Sequence, residues 1–169
     1  MSGLSTLGAV HTALALVAVA CGFTLTFRFK GIRTDLDFGW TYVVTTTLAC
    51  ITALGIYAHG GFGVPHALAL MTLAVLALCL VAGRSRETSR LARYVEIVGY
   101  STTLLFHMVP ATIEATTRLP AGAPLFAGPD APGLQRVLGF MVLAYLLGVA
   151  FQVRHAWRHP MALRRTGLT

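Results

Sequence analysis

Acidic residues are scarce. The 169-residue chain holds six Asp and Glu, and charged residues make up 11% of it, where a soluble domain carries about a quarter. That excludes a soluble domain with a charged surface. Lysine is nearly missing, with Lys30 the only one. The three cysteines, Cys21, Cys50 and Cys79, have no CxxC spacing. This argues against a disulfide framework and a thiolate metal site, and each reads as a free thiol inside an apolar run. No Lys or Arg precedes the first apolar run, so that run lacks the basic start of a signal peptide. It is read as a retained helix, and the stretch Ala18–Cys21 as a chance likeness to a lipoprotein cleavage site. No internal repeat is visible, and an odd number of spans argues against a simple inverted repeat.

What is present is apolar: 56% of residues are hydrophobic and the mean hydropathy is +0.72. The expected fold is an all-α integral membrane protein, a single bundle of five transmembrane helices at about 4–27, 38–59, 65–82, 93–118 and 134–157. The net charge is +7, but the basic residues gather at helix ends rather than along one face, which points to a lipid bilayer and away from nucleic acid. They fall in 28–33, 84–93 and 154–165. The 59–66 turn has none, and the 119–133 loop has only Arg118 and Arg136 at its edges. By the positive-inside rule the N-terminus is expected outside and the C-terminus in the cytoplasm, in the cytoplasmic (inner) membrane.

The fourth run, residues 93–118, organises the reading. On a helix, Glu96, Tyr100, Thr103, His107, Glu114 and Arg118 share one face, opposite Val95, Val98, Leu104, Leu105, Met108, Val109 and Ile113. An ionisable group at bilayer depth costs about 2.5–3.5 kcal/mol or more unless it faces protein and is paired, so the stripe is expected to point inward. Pro110 removes an amide donor and predicts a kink beside His107.

Other features join it. His11, Ala15, Ala18 and Gly22 share a face of the first helix, where small residues permit close helix approach. Asp35 and Asp37 are placed as caps of the second helix or just before it. Trp40 and Tyr42 are placed in the interfacial aromatic belt. Thr45, Thr52 and His59 share a face, and the turn HGGFGVPH brings His59 and His66 close. In the fifth helix Tyr145, Gly148, Gln152 and His155 share a face, with His155 and His159 on a basic rim.

With the expected sidedness, His11, His59, His66, His107 and Glu114 all lie in the outer half. Three chemistries use such a cluster. Haem b takes two axial imidazoles from different helices, with His11 and His107 the best pair and the small residues of the first helix making room for the macrocycle. A zinc, copper or iron ion takes a set drawn from His59, His66, His107 and Glu114. A proton or quinone site uses Glu96, Tyr100 and Thr103 with His107 and Glu114 as a titratable chain. Plain structural readings stand beside these: Glu114 and Arg118 as an i,i+4 ion pair, Glu96 as a helix-start carboxylate near Arg93, His59 and His66 as turn residues, and His11 facing water.

The first expectation is a membrane protein that binds haem b or a metal ion at the outer cluster, a redox or electron-transfer component and possible oxidoreductase working with a quinone or redox partner. The alternatives are a proton-coupled carrier or small-molecule pathway lined by the fourth helix, and a non-catalytic subunit of a larger membrane complex. The small-residue face of the first helix equally suits a homo-oligomer.

Overall fold

A computed structural model of the chain describes residues 5–57 and 61–159; the position predicted at His59 lies outside them. The described residues form five helices and no strand: α1 (Thr6–Phe29), α2 (Asp37–Leu54), α3 (Val64–Gly83), α4 (Arg90–Arg118) and α5 (Pro132–Arg158). Three of them, α1, α3 and α5, are long and apolar enough to cross a membrane. α4 is the longest at 29 residues, but its polar stripe sets it apart from those three.

Local chemistry sets the ends. Ser5 caps α1 by accepting from the Gly8 N–H, and the helix stops at Lys30, a non-glycine residue in the left-handed region at φ 62°. α2 starts without a side-chain cap. Asp35, expected to cap this helix or to sit just before it, lies just before it and is held by Arg33 and Arg86, and Asp37 sits in the first turn of the helix. α2 then ends at Leu54, short of the expected end near 59. Gly55 closes it, its N–H donating to the Thr52 carbonyl while the Ile56 N–H donates to that of Ala53. Pro65 lies in the first turn of α3, where no amide donor is needed. Ser89 caps α4 through the Ala92 N–H, which starts this helix one turn earlier than expected.

The expected five-helix bundle is a ring of four with one helix outside. α1 packs on α2, α2 on α3, α3 on α4, and α4 more lightly on α1. α2 and α4 therefore face each other across the diagonal, with their backbones apart. α5 packs on α4 alone. The ring interior is filled by Leu25, Tyr42, Cys79 and Tyr100, all fully buried, with Ala18 and Leu104. α3 and α4 cross very closely: a Cβ on Gly99 would sit 2.3 Å from Cys79 Sγ. In lipid this fit matters, because van der Waals packing and interhelical hydrogen bonds replace the hydrophobic effect as the force between helices. All three thiols are free and buried.

Every described Lys and Arg except Arg118 and Arg136 lies at one end of the molecule. That end holds the α1–α2 and α3–α4 connections and the close of α5. Two contacts tie it together. Arg86 reaches Asp35, and Arg93 Nη1 donates to the carbonyls of Ala156 and His159, both at 3.1 Å.

Candidate functional site

A line of polar side chains runs through the ring along α4. At the basic end, Glu96 is 2% exposed. One guanidinium nitrogen of Arg86 lies 3.4 Å from Glu96 Oε1 and 3.6 Å from Asp35 Oδ1, so a single cation joins two loops to α4. The Glu96 carboxylate lies against Gly83, where a Cβ would be in ordinary contact with it at 3.4 Å. Arg33 grips Asp35 with both Nε, at 3.0 Å, and Nη2. That two-pronged bond holds the Asp35 carboxyl below the usual carboxylate range, against some opposition from burial, and raises Arg33 in turn.

One turn further along α4, Tyr100 is fully buried, and its hydroxyl has no hydrogen-bond partner among the described residues. Its ring meets Tyr42 edge-on at 6.2 Å. Tyr42 reaches in from α2, with its hydroxyl 2.8 Å from Thr103 Oγ1. Thr103 also donates to the Tyr100 carbonyl at 2.9 Å. A threonine hydroxyl has one proton, so with that bond made Tyr42 is the donor to Thr103.

The line continues on α2. Thr46, one turn beyond Tyr42 and fully buried, lies beside the Tyr42 hydroxyl and 3.1 Å from His107 Nε2. The His107 ring meets Tyr42 edge-on at 6.4 Å. One further turn along, His11 Nδ1 lies 2.9 Å from the Ala49 carbonyl and 3.3 Å from Thr52 Oγ1. A carbonyl only accepts, so Nδ1 carries the hydrogen and Nε2 of neutral His11 is the free acceptor. Thr46 and Ala49 are three residues apart, about 4.5 Å of rise. His11 and His107 are thus docked on neighbouring turns of one helix.

Five of the residues predicted from sequence therefore line this one seam: Glu96, Tyr100, Thr103, His107 and His11. Of the metal set, the described members His66, His107 and Glu114 are not brought together. Glu114 is 57% exposed and forms a 2.6 Å pair with Arg118. His66 stacks between Tyr57 (4.9 Å) and Phe62 (5.3 Å), and its Nδ1 accepts the Gly63 N–H. Among the described residues, no three of His, Cys, Asp and Glu are grouped to hold a metal ion. The space expected to admit a macrocycle beside Gly22 is filled: a Cβ there would lie 2.9 Å from both Leu104 Cδ1 and Tyr42 Cε2. The residues present do not fit a haem at that position.

Two members of the seam, Tyr42 and Thr46, are absent from the sequence-based set. Tyr42 is fully buried rather than interfacial. The signal was present: Gly39, Tyr42, Val43, Thr46, Ala49 and Cys50 recur at helical spacing, and all six are buried.

Comparison of the chain with family models, with curated proteins and with solved structures yields no match.

Proposed function

We propose that the protein is a five-span protein of the cytoplasmic membrane, its basic end facing the cytoplasm, that passes protons along the seam between α2 and α4. The observation carrying this reading is the pair of hydrogen bonds across the bundle diagonal, Tyr42–Thr103 and His107–Thr46. They place hydroxyls and an imidazole in series where the ring is otherwise apolar. The basic end supports the sidedness.

Each group has a task. Glu96 exchanges protons with the cytoplasmic side, with Arg86 beside it to offset the carboxylate charge. Tyr42 and Thr46 accept a hydrogen on one side of the oxygen and donate on the other, while Thr103 accepts from Tyr42 and passes a proton on only by releasing the Tyr100 carbonyl. His107 takes a proton on one ring nitrogen and gives one up from the other, the property that suits imidazole to relays. His11, with Nδ1–H fixed on Ala49, offers Nε2 toward the opposite surface. Side chains fill the seam, which favours a proton over a larger solute.

The test is proton flux into proteoliposomes carrying a trapped pH dye, driven by a potassium diffusion potential. Tyr42→Phe and His107→Ala should each lower the flux about a hundred-fold or more, the lower end of the general scale for loss of a positioned proton-transfer group. Glu114→Gln, outside the seam, should leave it unchanged. Undiminished flux in both seam variants would end this reading.

A further inference from the structure

The face of α4 turned away from the ring carries a groove of about 420 Å³. Val75 and Leu78 of α3 form one wall, and Tyr94, Val98, Gly99 and Thr102 of α4 line the rest. Thr102 hydrogen-bonds Tyr145 of α5 at 2.8 Å, so α5 borders the opposite side. α3 and α5 make no contact, which leaves this strip of α4 open between them. The groove is apolar along its length, as an acyl chain requires. Its end toward the start of α4 is marked by Tyr94, an aromatic of the kind that sits at headgroup level.

Basic residues outnumber acidic ones at that end, where Glu87 shares the α3–α4 connection with Arg84 and Arg86. Arg90 lies four residues before Tyr94 and so on the same face of α4. Arg84 closes α3, and Arg154 and Arg158 end α5, which the Arg93 contacts hold against the start of α4. Among the described residues, none of Arg84, Arg90, Arg154 and Arg158 has a carboxylate within 4.0 Å, whereas Arg33, Arg86 and Arg118 are each paired. An apolar groove opening among exposed, uncompensated guanidinium groups is complementary to one class of molecule.

We infer that the groove is a binding site for an anionic phospholipid of the cytoplasmic leaflet, one acyl chain lying along Val75, Leu78 and Val98 and the phosphate held by Arg90. This rests on the chain's placement in a bilayer and not on proton conduction; lipid retention and proton flux are separate measurements.

The experiment is native mass spectrometry of the full chain released from detergent, after exchange into micelles doped with phosphatidylglycerol or with phosphatidylcholine. The parent should retain one phosphatidylglycerol and little phosphatidylcholine. Arg90→Gln should lower that retention about five-fold, the factor one surface arginine contributes toward an anionic lipid. Val98→Trp, which fills the groove, should abolish it. Leu147→Trp, on the 63% exposed outer face of α5, should leave it intact. Circular dichroism confirms that each variant is helical; if Val98→Trp does not fold, Arg90→Gln decides. A folded Arg90→Gln or Val98→Trp protein that retains phosphatidylglycerol as the parent does would overturn the assignment. So would equal retention of phosphatidylcholine, or a parent that appears as a lipid-free dimer with a second copy covering the groove.

Discussion

The Tyr42 hydroxyl lies 2.8 Å from Thr103 Oγ1 although the two residues are 61 positions apart in sequence. The bond joins helices whose backbones do not touch, so it is a tie across the bundle. Tyr42→Phe keeps the ring and removes only the hydroxyl. It should lower stability by about 0.6–1.7 kcal/mol, the range for interhelical hydrogen bonds in lipid. Thermal unfolding in detergent, followed by circular dichroism, measures this. An unchanged midpoint would mean that the tie contributes nothing.

Gly22 fixes where Tyr42 can go. Gly22→Val would force branched carbon into Leu104 and Tyr42, and overpacking of this kind costs about 1–3 kcal/mol. Leu104→Ala in the same chain should recover part of the loss by vacating one of the two colliding positions. A double-mutant cycle on unfolding midpoints reads the coupling.

The Arg33–Asp35 bond predicts an acid-side pH dependence. Asp35 titrates lower in the folded protein than in the unfolded chain, so the unfolded state takes up its proton first as pH falls. The stabilisation is fully present above the ordinary aspartate value of about 3.9 and is lost as pH drops through the lower folded value. Between about pH 5 and 8 this group contributes no slope. Arg33→Gln should flatten the acid limb of unfolding midpoint against pH. Because Asp35 is half exposed, the effect is modest.

Arg93 is the clasp of α5. Replacing it with Met removes two charge-assisted bonds to the Ala156 and His159 carbonyls. The last turns of α5 should then exchange amide hydrogens faster, while α1–α3 keep their protection, as hydrogen exchange resolved by peptide will show.

The separate settings of His66, His107 and Glu114 predict that purified protein binds less than one equivalent of zinc, copper or iron. The filled space at Gly22 predicts no Soret band. Elemental analysis and an absorption spectrum of one sample check both. Stoichiometric metal, or a Soret band, would return His11 and His107 to the role of ligands.

Helical spacing alone placed Glu96, Tyr100 and Thr103 on a buried face, because a polar stripe in an apolar run has nowhere else to go. It did not place Glu114. That residue keeps the phase of the stripe, but α4 is 29 residues long and α2, starting at the same end, is 18, about 44 Å against 27 Å. Glu114 stands beyond its neighbour's reach and pairs with Arg118 instead. Length mismatch between partner helices is a tertiary property that one run of sequence does not carry. Tyr42 was misplaced for a related reason. Nearness to a helix start suggests an interface, yet the α1–α2 connection folds back beneath it, with Ile32 4% exposed. The thin contact between α1 and α4 and the solitary position of α5 had no local signature.

α2 and α4 meet through a tyrosine side chain and not by backbone meeting backbone. A strut of that sort can be exchanged. A smaller residue at 42 invites the two helices to draw together, and a longer one wedges them apart, so the spacing of two helices is heritable as a single codon.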